Sequence, residues 1–107
     1  MRVISQDGTM DFPYEISTIF IYPRIENAVA IQPVGDSEVS IIGRYSSEEK
    51  AIKAMEMLRE HNEGVAFLKT IINTEKGNLF VSGLSKTDFN KLTQNYFQFP
   101  QDDEIEV

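Results

Sequence analysis

The segment YSSEEKAIKAMEMLREHNEG, beginning at Tyr45, most constrains what this chain can become. Ser46 followed three places later by Glu49 is the pattern of a capping box, in which a hydroxyl and a carboxylate each satisfy a backbone N–H left over at a helix start. Ala51, Ile52, Met55, Leu58 and Asn62 then recur at helical spacing, while Lys50, Lys53, Glu56, Glu60 and Glu63 fall on the other side. Glu63-Gly64 supplies a C-terminal stop, so the spacing predicts an amphipathic helix over about 47–62. A helix of that length is marginal alone in water, and its apolar stripe needs a cover. The runs around it are short and β-favouring, which leaves a sheet as the cover.

Val3-Ile4 begins a first strand, and Asp7-Gly8 supplies a reversal. Pro13 holds Phe12 extended, and the rings of Phe12 and Tyr14 are expected to pack on the sheet. Ser17 to Tyr22 and Asn27 to Gln32 read as paired antiparallel strands. In the second, alternation sets Ala28, Ala30 and Gln32 on one face and Val29, Ile31 and Pro33 on the other, as in a half-buried strand. Glu38 to Tyr45 reads as another strand, with Val39, Ile41, Gly43 and Tyr45 on one side.

Val65 to Ile72 and Asn78 to Val81 flank a polar loop ending at Gly77 and read as a β-hairpin, with a longer helix as the alternative for the first run. Ser85 with Asp88 marks a shorter second helix over about 86–95, and Tyr96 to Phe99 supplies a final strand before Pro100. The fold class is therefore α+β: a single domain over 1–100, with a mostly antiparallel sheet and one amphipathic helix packed on it. The acidic tail over 101–107 is too charged to belong to the core, and reads as a solvated end, a short docking peptide or, since Ile105 and Val107 alternate with acids, an edge strand.

Length and composition then remove whole classes of function. A chain of 107 residues suits one modest core. The absence of cysteine excludes disulfides, thiolate nucleophiles and cysteine-ligated zinc. MRVISQDG has no continuous apolar stretch of the kind a secretory signal needs, and no run is long enough to span a membrane, so the expected compartment is the cytoplasm. A net charge of -7 argues against direct binding to nucleic-acid phosphates, and Asp102, Asp103, Glu104 and Glu106 carry much of that excess.

Candidate chemistry is sparse. His61 is the one histidine and has only Glu60 and Glu63 as acidic neighbours in sequence, so it reads as an exposed residue at a helix end. Asp7, Asp11 and Glu15 are dense but lack the ladder of a calcium loop, and suit turns and surface pairs. Ser46 and Ser47 are explained by the cap. The aromatic set, including Phe12, Tyr14, Phe20, Tyr22, Phe67, Phe97 and Phe99, lacks the basic interleaving of a nucleic-acid platform and is assigned to packing. No catalytic residue, cofactor or metal ligand is assigned. The candidate partner-binding residues are Asp102, Asp103, Glu104 and Glu106.

Three stretches, MRVISQDGTMDFPYE, YSSEEKAIKAMEMLRE and YFQFPQDDEIEV, resemble small uncharacterised proteins of prophages and other mobile elements in Firmicutes. The resemblance implies a genetic setting and carries over no site residues. The resulting expectation is a non-enzymatic accessory protein that contacts another protein. Two alternatives stand beside it: an acidic inhibitor of a host nucleic-acid-handling or defence system, and a small-molecule binder with an aromatic-lined cleft.

Overall fold

A computed structural model of the chain describes residues 1–71 and 95–106. The opening runs behave as their residues dictate. Strand β1 (Arg2–Ile4) turns back at Asp7-Gly8, where Gly8 sits at φ 76°, and β2 (Asp11–Pro13) pairs antiparallel with β1. A single 3-10 turn over Tyr14–Ile16 leads into β3 (Ser17–Ile21), which pairs antiparallel with β4 (Ala28–Pro33). Strand β5 (Ser40–Arg44) completes a β3-β4-β5 sheet, and β6 (Tyr96–Gln98) lies parallel to β1 in a β2-β1-β6 sheet. The Gln6 N–H donates to the Ile42 carbonyl at 2.7 Å and joins the two sheets. The architecture is α+β, as the periodicities imply.

Strand β4 departs from the half-buried pattern. Ala28, Val29, Ala30 and Ile31 are all fully buried, because Val29 and Ile31 enter the main core while the small Ala28 and Ala30 lie beneath the opposite face. On that face Phe20 stands across from Ala30, and its ring is 6.3 Å from that of Tyr22. Strand β5 differs more sharply. Val29 pairs with Gly43 and Ala30 with Ile41, which leaves Ile42 as the extra residue of a β-bulge. One added residue resets the alternation. Ile42 and Tyr45 therefore enter the core, whereas Val39 is exposed and Ile41 only half-buried. A Cβ at Gly43 would stand 3.1 Å from the Tyr45 ring, tighter than an ordinary contact.

Helix α1 runs over Glu48–Ile71, well past the stop expected at Glu63-Gly64. A mid-helix glycine costs about 0.5–1 kcal/mol, whereas burying a valine contributes about 1.5–3 kcal/mol, and Val65 is buried two turns beyond Leu58. Burial wins, and the first half of the expected hairpin is helix instead. The buried stripe is Ala51, Ala54, Leu58 and Val65, while Ile52 points outward. The cap also shifts by one residue. Ser47 Oγ accepts the Lys50 N–H at 3.2 Å, and Ser46 directs its own N–H elsewhere. The second helix expected over about 86–95 and the strand expected at Asn78 to Val81 lie outside the described residues, apart from residue 95.

One core unites Val3 of β1, Val29 and Ile31 of β4, Ile42 and Tyr45, Ala51, Ala54 and Leu58 of α1, Phe99 and Ile105. Phe12 and Tyr14 pack against its margin, as expected from the Phe12-Pro13-Tyr14 bend. Ile105, only 4 % exposed, corrects the reading of 101–107 as a segment outside the core.

Candidate functional site

The C-terminal segment is sewn into the fold by residues far from it in sequence. The Phe99 N–H donates to the Ile4 carbonyl at 3.0 Å, continuing the β6 pairing. Pro100 then offers its carbonyl to the Tyr45 hydroxyl at 2.9 Å and to the Gln6 amide at 3.2 Å. Gln101 returns its own amide to the Gln6 carbonyl at 2.6 Å, and Gln6 Oε1 accepts the Arg44 N–H at 2.9 Å. Gln6 thus fastens the first turn, β5 and the C-terminal segment together. Burial drives the Tyr45 phenol far above its ordinary range, helped by the negative charges of Asp102 and Glu104.

Asp102 opens a 3-10 turn over Asp102–Glu104 and faces the start of α1. Its Oδ1 accepts the Ser46 N–H at 2.7 Å. Lys50 Nζ reaches the Asp102 carbonyl at 2.9 Å and Oδ2 at 3.3 Å. The Ser46 N–H, with Lys50 behind it, holds the Asp102 carboxyl below the usual carboxylate range. A carboxylate at a helix N-terminus is favoured by the unpaired N–H groups there. Of the four tail acids, Asp102 is consumed internally and ties the segment down.

The other three face outward. Asp103, Glu104 and Glu106 are exposed, and they share a groove of about 360 Å³ with Lys53, Met57 and Glu60 of α1. Glu104 also accepts the Gln101 N–H at 2.9 Å, which fixes its carboxylate at the groove wall. A larger groove of about 920 Å³ adjoins the first, sharing Met57, Glu60 and Glu104, and is walled by Tyr96, Phe97 and Phe99. The Phe97 and Phe99 rings meet edge-on at 5.5 Å, and the His61 ring lies 5.7 Å from Phe97. Its described walls carry the carboxylates of Glu60 and Glu104 and neither lysine nor arginine. His61, expected at an exposed helix end, is instead mid-helix and half-buried beside this groove.

The remaining candidates resolve into structural roles. Asp7 Oδ1 accepts the Ser5 hydroxyl at 2.6 Å, the Thr9 N–H at 3.0 Å and the Thr9 hydroxyl at 2.7 Å, which together lower its pKa to about 2. Asp11 pairs with Arg2 at 2.7 Å, and Glu15 with the N-terminal amine of Met1. Among the described residues, no group of three or more His, Cys, Asp or Glu is placed to hold a metal ion, and no helix is long and apolar enough to cross a membrane.

Sequence reasoning missed Gln6, Lys50 and Ser46 as partners of the C-terminal segment. Their contacts span 52 to 95 positions, and no local pattern marks them. The alternation of Ile105 and Val107 with acids does point to an ordered segment, but as an edge strand; Ile105 is instead buried in the core just after a 3-10 turn. Comparison with protein-family profiles, curated proteins and solved structures finds no match.

Proposed function

We propose that this protein is a non-enzymatic interaction module that receives a basic segment of another protein at its acidic corner. The observation that supports this most is the sharing of Glu60 and Glu104 between two adjoining grooves, one edged by Asp103 and Glu106 and the other by aromatic rings. Carboxylates beside aromatic faces suit lysine and arginine side chains, through ion pairing at the rim and cation–π contact within. The tether through Asp102 holds these acids in place before a partner arrives, which lowers the ordering cost of binding. The wording of the chain's two ends supports a mobile-element setting for such a module.

A narrower version makes the partner a nucleic-acid-handling protein whose phosphate-binding groove the acids enter. The grouping of Glu60 with Asp103, Glu104 and Glu106 favours it, although Glu48, Glu56 and Glu63 of α1 line neither groove.

Truncation at residue 100 is a poor test, because it also removes Ile105 from the core and Asp102 from the helix start. The informative variant combines Glu60→Gln, Asp103→Asn, Glu104→Gln and Glu106→Gln, which keep shape and hydrogen-bond acceptors. Affinity capture from a bacterial lysate should recover proteins with the parent chain that the neutralised variant and raised salt both release. Retention of the same proteins by the variant would refute the assignment. Release by added duplex DNA would select the narrower version.

A further inference from the structure

The sheet edges of this molecule are treated unequally. On β5 the outer side carries the Ile42 bulge and is met by Gln6, and on β2 Pro13 interrupts the row of donors. Such devices block strand addition. Strand β3 has none: from Ser17 to Tyr22 the chain contains neither a charge nor a proline. Among the described residues it is an edge strand of its sheet, with β4 as its single neighbour, as β6 is of the other sheet with β1.

The backbone groups it leaves open can be identified. The Tyr22 N–H donates to the Ala28 carbonyl, and the Val34 N–H to the Ile16 carbonyl. Antiparallel pairing alternates, so Thr18 and Phe20 also bond toward β4, opposite Gln32 and Ala30. Ile19 and Ile21 therefore direct their N–H and C=O groups to the open side, where nothing among the described residues meets them. The row is bounded at both ends. Ser17 gives its N–H to the Tyr14 carbonyl, and Pro23 has none.

We infer that this edge joins a second copy of the same chain, β3 to β3, in a two-fold antiparallel pair. Setting Ile19 opposite Ile21 of the second copy matches every open N–H with an open C=O, with no donor left over. That register brings Phe20 opposite its own equivalent and Thr18 opposite Tyr22, so the half-exposed aromatic pair of each copy meets the other across the seam. Glu15, already paired with the Met1 amine, and Arg24 lie just beyond the ends of the row. Ile16, an apolar side chain left 53 % exposed, lies beside the seam. The acidic corner is formed by α1, β6 and the C-terminal segment, and no residue of β3 lines it.

Sedimentation equilibrium of the full chain, from micromolar to millimolar concentration, combined with amide hydrogen exchange, tests this. The expected result is a mass rising from 12.2 kDa towards twice that value. Ile19 and Ile21 amides should gain protection over the same range, while Phe20, bonded to β4, is protected throughout. Thr18→Lys, at an exposed position on the outer face, should shift the association to higher concentration without altering the circular dichroism spectrum. A mass of one chain at every concentration would overturn the inference. So would a dimer in which Ile19 and Ile21 exchange as freely as in the monomer.

Discussion

Asp7 and Asp102 are both carboxylates held below their ordinary range, and they achieve it by opposite means. The partners of Asp7 lie two positions away, in Ser5 and Thr9, within a turn the chain forms by itself. The partners of Asp102 lie 56 and 52 positions away, in Ser46 and Lys50, and exist only once the helix start and the C-terminal segment have met. The first shapes a loop, while the second joins the C-terminal segment to the start of α1 and presents three neighbouring acids. A carboxyl held below its ordinary range therefore marks two different kinds of structural work.

That contrast sets what each region should do when altered. The largest losses belong to the long-range side. Phe99→Ala should cost about 3–5 kcal/mol and Ile105→Ala about 2–5 kcal/mol in urea unfolding, since both are core residues. If the segment were a solvated tail, Ile105→Ala would fall within about 0.5 kcal/mol of the parent, as surface substitutions do. Gly43→Ala comes next, at about 1–3 kcal/mol, because the new methyl presses on the Tyr45 ring that anchors Pro100. Tyr45→Phe should cost about 0.5–1.5 kcal/mol, towards the lower end because Gln6 still donates to the Pro100 carbonyl.

The smallest effect is the pH dependence, and its sign follows from the lowered values. Asp7 and Asp102 are both more acidic folded than the ordinary 3.8, so each stabilises the native state above that pH. The contribution is lost as pH falls, for Asp7 through about 2. Carboxyl carbon chemical shifts followed through an acid titration should show this. Asp7→Asn should flatten only its own part of the profile, whereas Asp102→Asn should also speed exchange of the Ser46 amide.

The same divide explains what was legible from residues alone. The first strand, the Asp7-Gly8 reversal, the extended Phe12 and the pairing of β3 with β4 are written in neighbouring residues, and the structure has them. The helix runs past its expected end because Gly64 is only a local stop signal, and the tertiary burial of Val65 outweighs it. The expected side of β5 is split, with Tyr45 in the core and Val39 and Ile41 outside it, because a bulge depends on its partner strand as much as on its own sequence. At the acidic corner the residue types were readable, but their division into one tether and three outward groups was not. That division depends on Ser46 and Lys50, whose positions follow from the helix start.

Whether the acidic corner is a built part of the fold can be measured directly. Backbone ¹⁵N relaxation should give order parameters for residues 102–105 near about 0.85, matching β4. Values below about 0.6 across that segment would mean a mobile tail and would refute a preformed corner.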